Sequence, residues 1–415
     1  MKIHPSKDIV SSRTNLLEGR RIALGICGSV GAVRSPELAR EIMRHGAEVV
    51  TFMTDAAQKL ISPALMEWAT GNPVVTELTG GIEHVALGGG VPGCADLILI
   101  APATANTIGK IASGIDDTAV TTLVTTGIGA GLPVILVPAM HGSMYRHPIV
   151  IENIRKLESI GVTVVPPEIA EGKAKMAGDK TIVDTIISRL TRKNLEGQRV
   201  LVTAGPTRSY IDPVRYVTNS SSGKMGIAFA REAFARGAEV SLITGPVDAH
   251  LTGVDVKSVK TTNEMLDSVK SALSSKRYDL LVMAAAPLDF SFSKASPDKI
   301  PSDSSLSLSL VPLPKIIKEA RSISPDLFII GFKAEYGLSE EELLSRAKKR
   351  LLDSSMNLIV ANDLSRPGMG FEWDTDEVYV LDGNGLVEHI PMAPKREVAK
   401  KVLDIYSRGM PNVAR

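Results

Sequence analysis

The sequence predicts an α/β protein built from two Rossmann-like parallel-sheet domains, and two features predict it. The first is an opening used twice. Asn15-Leu16-Leu17-Glu18-Gly19-Arg20-Arg21 leads into Ile22-Ala23-Leu24, and Asn194-Leu195-Glu196-Gly197-Gln198-Arg199 leads into Val200-Leu201-Val202. Each copy continues to a glycine turn, a helical stretch and a second strand introduced by Gly-Ala-Glu-Val, at 46–49 and at 237–240. That is the sequence form of a βαβ unit. The second feature is a series of short Val/Ile/Leu runs between helical stretches, as strands buried on both faces require. They fall at 96–101 and 133–137 in the first half, and at 240–244, 278–283, 328–332 and 357–361 in the second. The strict alternation at 307–310 fits a half-exposed strand. Residues 340–352 start acidic and end basic, the polarity a surface helix favours. The expected organisation is a first domain over 17–190, a polar linker over 191–196 and a second domain over 197–415. The first dozen residues and the last few are expected to lack fixed structure.

Composition narrows the function classes. Lys+Arg 47 against Asp+Glu 46 leaves no net field to attract nucleic acid or an anionic membrane, so neither is expected as a partner. No run reaches the roughly 18 apolar residues a membrane helix needs, and the polar start has no apolar signal-like core. Cys27 and Cys94 are the only cysteines, too few for a disulfide framework, which points to a reducing cytoplasm. Both stand in apolar surroundings and read as small buried hydrophobes rather than nucleophiles.

Two loops carry chemistry. Gly25-Ile26-Cys27-Gly28-Ser29-Val30-Gly31 follows a strand and opens a helix. Its spacing is GxxGxxG rather than the dinucleotide GxGxxG, and with Ser29 at the helix start it suits a single phosphate. An NAD-dependent dehydrogenase, supported by the two βαβ openings and by Asp55, stays open on these residues, as does a flavin-binding module without activity. In the second half, 203–226 reads TAGPTRSYIDPVRYVTNSSSGKMG. A strand runs into a Gly205-Pro206 turn, a loop with Asp212, Arg215 and Asn219 follows, and Ser221-Ser222-Gly223-Lys224 opens a helix. Backbone N–H groups and the positive dipole end gather there, Arg215 adds a fork, and Asn219 can donate and accept. Spacing alone leaves an anion site and an ordinary capped strand–turn–helix evenly matched. The absence of GxxxxGK[ST] argues against a P-loop kinase.

The whole string 203–226 closely resembles the ligase signature of the bifunctional phosphopantothenoylcysteine decarboxylase/phosphopantothenate–cysteine ligase family. Ala284-Ala285-Ala286-Pro287-Leu288-Asp289-Phe290, Asp298-Lys299-Ile300, Val311-Pro312-Leu313-Pro314-Lys315-Ile316, Ile330-Gly331-Phe332-Lys333-Ala334-Glu335 and Val360-Ala361-Asn362-Asp363 follow in that family's order. In the first half, Met53-Thr54-Asp55-Ala56-Ala57, Ala101-Pro102-Ala103-Thr104-Ala105-Asn106 and Pro138-Ala139-Met140-His141-Gly142-Ser143-Met144-Tyr145 end successive strands. They resemble the flavin-dependent cysteine decarboxylases, which have a flavodoxin-like fold.

The resemblance implies two reactions for coenzyme A biosynthesis. For ligation, CTP converts the carboxylate of 4′-phosphopantothenate to an acyl-cytidylate, and the cysteine amine displaces CMP. It implies Asn219 as the positioning amide and Lys299 as a catalytic cation. Nucleotide and substrate contacts are implied at Arg215, Ser221, Ser222, Gly223, Lys224, Ala286, Asp289, Pro314, Lys315, Phe332 and Arg350. Mg²⁺ is expected on the triphosphate, although no protein cage for a metal is readable. For decarboxylation, it implies FMN held by Gly28, Ser29, Thr54, Pro102, Ala103, Thr104, Asn106 and Met140, with His84 as the catalytic base. His84 would take the thiol proton while the flavin accepts hydride from Cβ, and the resulting thioaldehyde gives the departing carboxylate an electron sink.

The chain departs from the family's bacterial pattern at three places. His141 stands where those proteins have an Asn that helps hold the substrate carboxylate, and His141 can take that role. The clamp segment 171–178 has no cysteine, so water at His141, Lys173 or Lys175 is expected to supply the last proton. A second family lysine aligns with Ser354. The resemblance further implies a homo-oligomer in which decarboxylase trimers and ligase dimers combine, as in a dodecamer.

Overall fold

The computed structural model describes residues 4–409 apart from 250, 252, 302–305 and 367. The chain divides after Thr191 into two compact units.

The first unit is a six-stranded sheet in the order Val74–Val75, Glu48–Met53, Arg21–Ile26, Leu97–Ala103, Val134–Pro138, Thr163–Val164, with every neighbouring pair parallel. The chain winds outward from Arg21–Ile26, then restarts on its other side at Leu97–Ala103. The crevice outside the carboxyl ends of those two strands is therefore a switch point, where doubly wound sheets bind ligands. Period-two alternation divides the strands between two apolar layers. Ile22, Leu24 and Ile26 pack with Leu38 and Ile42 of the helix Ser35–Arg44, while Ala23 and Cys27 pack with Ile98, Ile100 and Leu123. Burial pushes the Cys27 thiol up to about 11, which makes it the inert hydrophobe expected.

Two local readings change. After Ser29 the chain makes a 3₁₀ turn, Val30–Arg34, and the α-helix begins only at Ser35. The N-terminal segment is ordered from Pro5, because Pro5–Ile9 form a 3₁₀ turn and the Lys7 ammonium donates to Asn72 Oδ1 at 2.9 Å. The last residues, 410–415, lie outside the described ones.

The second unit has an eight-stranded sheet ordered Asp255–Ser258, Glu239–Thr244, Arg199–Ala204, Leu280–Met283, Phe328–Glu335, Leu358–Asp363, Thr375–Asp382, Gly385–Pro394. The first six are mutually parallel, and the last two form an antiparallel hairpin added at the edge. The switch point lies between Arg199–Ala204 and Leu280–Met283. The helix Lys224–Ala235 packs closely on its strand because position 226 is glycine. A Cβ there would stand 2.7 Å from the Thr203 carbonyl oxygen. Its far end is tied to the C-terminal helix Lys395–Arg408 by a buried guanidinium, with Arg236 meeting Glu232 at 2.9 Å and Asp404 at 2.8 Å.

The residues read as linker include Leu195, which is fully buried in the second unit's core, with its N–H on the Arg236 carbonyl. The strand expected at 307–310 is instead Leu310–Pro312, paired antiparallel with Phe290–Phe292. Among the described residues no helix is long and apolar enough to cross a membrane.

Candidate functional site

In the first unit the strand ends present a row of capping hydroxyls at the switch-point edge. Ser29 Oγ donates to the Ala139 carbonyl at 3.0 Å and accepts from the Gly31 N–H. Thr54 Oγ1 caps Asp55–Gln58 through the Ala57 N–H at 3.2 Å, and Thr104 Oγ1 caps Ala105–Ser113 through the Thr107 N–H at 3.2 Å. Gly28 faces Ala56 so closely that a Cβ would come within 2.4 Å of the alanine methyl. Pro102 and Ala103 are buried in the strand between them, and Asn106 stands exposed on the helix that follows. These short caps and fixed N–H groups suit an anionic, phosphate-bearing ligand lying against the strand ends.

Beside that edge, Met140–His141 pairs antiparallel with Lys173–Lys175, and His141 stands directly opposite Lys173. Glu168–Ala170 extends the small sheet, with Glu171 and Gly172 turning in left-handed conformation. Gly142 is required here, since a Cβ would strike the Gly172 carbonyl oxygen at 2.3 Å. Arg34 holds the other leg of this clamp, donating to the carbonyls of Met176 at 2.9 Å and Ala177 at 3.1 Å and pairing with Asp179. Sequence reasoning missed Arg34, although it lies only a few residues beyond the glycine loop. Lys175 is paired with Glu171 at 2.7 Å.

His84 is carried separately, in the first turn of the helix Glu83–Gly88, which packs on the helix Ala119–Gly129. Its Nδ1 is buried with no partner among the described residues. A buried polar atom left unserved costs free energy, which suits a group that meets its partner in a ligand.

The second unit has a cleft of about 390 Å³ at its own switch-point edge. It brings together Ser221, Ser222, Gly223, Lys224, Ala286, Asp289, Lys315, Phe332 and Arg350, all of them expected from the sequence. Gly223 is left-handed (φ 75°), and a Cβ would lie 2.9 Å from Val247, so only glycine lets the chain enter the helix here. Lys315 pairs with Asp289 across the cleft mouth at 2.5 Å. Asn219 stands behind this wall, its Nδ2 donating to the carbonyls of Ala286 at 2.9 Å and Pro287 at 3.3 Å. It therefore sets the position of the strand-end loop.

Other expected residues are not on that wall. Arg215 turns its fork inward, onto buried Asp212 (Nε at 2.9 Å, Nη2 at 2.5 Å) and the Ile300 carbonyl. That guanidinium holds the Asp212 carboxyl well below the usual carboxylate range. Arg215 is thus engaged in fastening its loop rather than offered as a free anion fork. Lys299 is exposed and, like Pro314, is not among the residues lining the cleft. Ser354 is buried at the C-cap of Glu340–Asp353, its hydroxyl without a partner among the described residues.

The cleft also contains Asn362, Asp376 and Lys395, which sequence reasoning did not pick as site residues. Asp376 and Lys395 come from the edge hairpin and the helix after it, both unread from the sequence. Burial pushes the Asp376 carboxyl up to about 6, against the opposing Asn362 hydrogen bonds, and burial lowers Lys395. The Lys395 ammonium donates to the Gly370 carbonyl at 2.7 Å, and that of Lys224 to the Glu372 carbonyl at 2.6 Å, fixing the segment over the helix start.

Residues 10–191 match the Flavoprotein family, and residues 195–408 match the DNA/pantothenate metabolism flavoprotein C-terminal domain. A coenzyme A biosynthesis bifunctional protein CoaBC from Thermococcus kodakarensis is 50% identical over 402 residues, 97% of this chain and 98% of that protein. The chain belongs to this family of bifunctional proteins. The Methanocaldococcus jannaschii protein of the same name is 37% identical over 97% of both chains. That of Escherichia coli K12 is 32% identical over 94% of this chain and 97% of its own. As a member of the family the chain is an enzyme of coenzyme A biosynthesis with ligase and decarboxylase activities. Its first unit is a flavoprotein domain. The dehydrogenase reading and that of an inactive flavin module are set aside.

Proposed function

We propose that the second unit joins 4′-phosphopantothenate to cysteine with CTP and Mg²⁺, through an acyl-cytidylate, and that the first unit decarboxylates the product with FMN to give 4′-phosphopantetheine. The observation that carries the reading is the cleft of the second unit. A helix start with a left-handed glycine, a strand-end loop fixed by Asn219 and the cations Lys224, Lys315 and Arg350 all meet on one concave wall. Forming an acyl phosphate builds charge on the phosphates and on the carbonyl oxygen, and fixed N–H groups with nearby cations answer it. Lys299, exposed and outside the wall, is proposed to act only with substrate bound.

In the first unit, Ser29, Thr54 and Thr104 with the neighbouring N–H groups would hold the FMN phosphate and ribityl chain, and Gly28, Pro102, Ala103, Asn106 and Met140 would shape its seat. Bound there, FMN supplies an acceptor and later a donor for two electrons and a proton. His84 takes the thiol proton, and His141 orients the substrate carboxylate. Lys173, opposite His141 and not tied to Glu171 as Lys175 is, protonates carbon in the last step. Lys173→Gln should therefore stop at a product two hydrogens lighter than 4′-phosphopantetheine, whereas Lys175→Gln should not. Full product from Lys173→Gln removes that role. A reducing cytoplasm and a homo-oligomer, such as a dodecamer of decarboxylase trimers and ligase dimers, complete the reading.

The test supplies 4′-phosphopantothenate, cysteine, Mg²⁺, FMN and each nucleoside triphosphate in turn, and weighs the products. CTP should yield CMP, pyrophosphate and 4′-phosphopantetheine. Ligation that ignores the nucleotide, or none with CTP, overturns the proposal.

A further inference from the structure

Asn362 lies near the end of the strand Leu358–Asp363, opposite Ala334 of the neighbouring strand, and lines the cleft with it. Its Nδ2 reaches both carboxylate oxygens of Asp376, each at 3.1 Å. Asp376 comes from the antiparallel neighbour Thr375–Asp382 and is only 3% exposed. An ionised carboxylate can only accept, so the amide has no freedom of flip: its NH₂ must face Asp376. The Asn362 oxygen is therefore turned the other way, and no donor among the described residues is bonded to it. The cleft wall thus holds an amide oxygen that has been oriented and left without a partner.

We propose that Asp376 is a positioning residue that sets Asn362 to present an acceptor to the nucleotide, so that the cleft selects a group carrying an N–H or O–H donor. Two parts of CTP have that chemistry, the exocyclic amine of the base and a ribose hydroxyl. A carbonyl at the corresponding place, as in uracil, would meet oxygen with oxygen, and loss of the ribose hydroxyl would leave the amide oxygen unpaired. A site built to pair a polar group rejects the analogue lacking it, because its own group is then stranded. With its carboxyl pushed up to about 6, Asp376 is ionised at the neutral to mildly alkaline pH of an assay. The other charges around it are Lys395 and Glu377, with Lys224 and Asp374 acting on Lys395. Lys395 spends its protons on the Gly370 and Phe371 carbonyls.

The inference rests on the cleft being the nucleotide site. The experiment measures kcat/KM of ligation at pH 8 for CTP, UTP, 2′-deoxy-CTP and 3′-deoxy-CTP, in the wild type, Asp376→Asn and Asn362→Ala. In Asp376→Asn either end of the Asn362 amide can face residue 376, so the orientation is lost while volume is kept. The wild type should prefer CTP to the analogue that lacks the donor by about tenfold to a hundredfold, the range for one stranded hydrogen-bonding group. That one ratio should fall toward unity in both variants. Collapse of CTP over UTP assigns the base amine, and collapse of CTP over a deoxy-CTP assigns the ribose. If CTP supports ligation and every ratio is unchanged in both variants, the inference fails while the nucleotide cleft stands. If CTP supports no ligation even in the wild type, the reading of the cleft fails first. A melting curve for Asp376→Asn no lower than the wild type's at pH 8 shows that folding is not the cause, since that change removes a buried charge.

Discussion

Replacing His84 with asparagine is expected to lower decarboxylation by about 10²–10⁴-fold, the usual contribution of a positioned proton acceptor. Ligation and flavin content should not change. The imidazole sits on a short helix whose entry, Ile82, is left-handed (φ 46°), and its Nδ1 is buried without a partner among the described residues. No bond among the described residues depends on that nitrogen, so removing it should cost chemistry rather than fold. Asparagine keeps polar atoms near the ring's position but cannot accept a proton near neutral pH. The measurement is carbon dioxide release from 4′-phosphopantothenoylcysteine, alongside the visible absorption of the purified protein. Flavin lost together with activity would show His84 to be part of the scaffold.

Asn219→Asp should do the reverse. The side chain donates to two carbonyl oxygens, those of Ala286 and Pro287. An aspartate there would set a negative oxygen against both and close to a forming acyl phosphate. Displacing the strand-end loop by about 1 Å can cost on the order of 10²-fold, and the added negative charge beside the forming acyl phosphate should lower ligation further. Decarboxylation of supplied 4′-phosphopantothenoylcysteine should be untouched. Pyrophosphate release with CTP gives the rate, and an unaltered ligase rate would mean that the strand-end loop is set by other bonds.

Much of this arrangement was legible because it is local. The duplicated opening located both first strands, and buried Val/Ile/Leu runs located most of the others to within a few residues. Ser29 could be read as a capping residue because a cap is a matter of near neighbours, although it opens a 3₁₀ turn before the helix, and Thr54 and Thr104 were read only as strand ends. What escaped depends on contacts distant in sequence. Asp376 joins the cleft only because its hairpin adds antiparallel to Leu358–Asp363, and Lys395 only because the helix after that hairpin begins beside the strand ends. The Asp382-Gly383-Asn384-Gly385 turn between apolar strands was the available signal for that hairpin. Arg215 was misjudged for a different reason. Its partner Asp212 is three residues away and was visible, but a guanidinium in a signature loop was read as facing a ligand when it fastens its own loop. Leu195 was counted as linker because its neighbours are polar, whereas it fills the base of the second core.

The central claim is that two separate sites on one chain carry successive steps, and mixing the two variants tests it most directly. Full-length His84→Asn and Asn219→Asp proteins would be combined in equal amounts with 4′-phosphopantothenate, cysteine, CTP, Mg²⁺ and FMN. Alone, His84→Asn should accumulate 4′-phosphopantothenoylcysteine, and Asn219→Asp should leave 4′-phosphopantothenate unconverted. Together they should form 4′-phosphopantetheine, the intermediate passing from one protein to the other. A mixture that stops at 4′-phosphopantothenoylcysteine, or either variant making 4′-phosphopantetheine alone at the wild-type rate, would contradict the account.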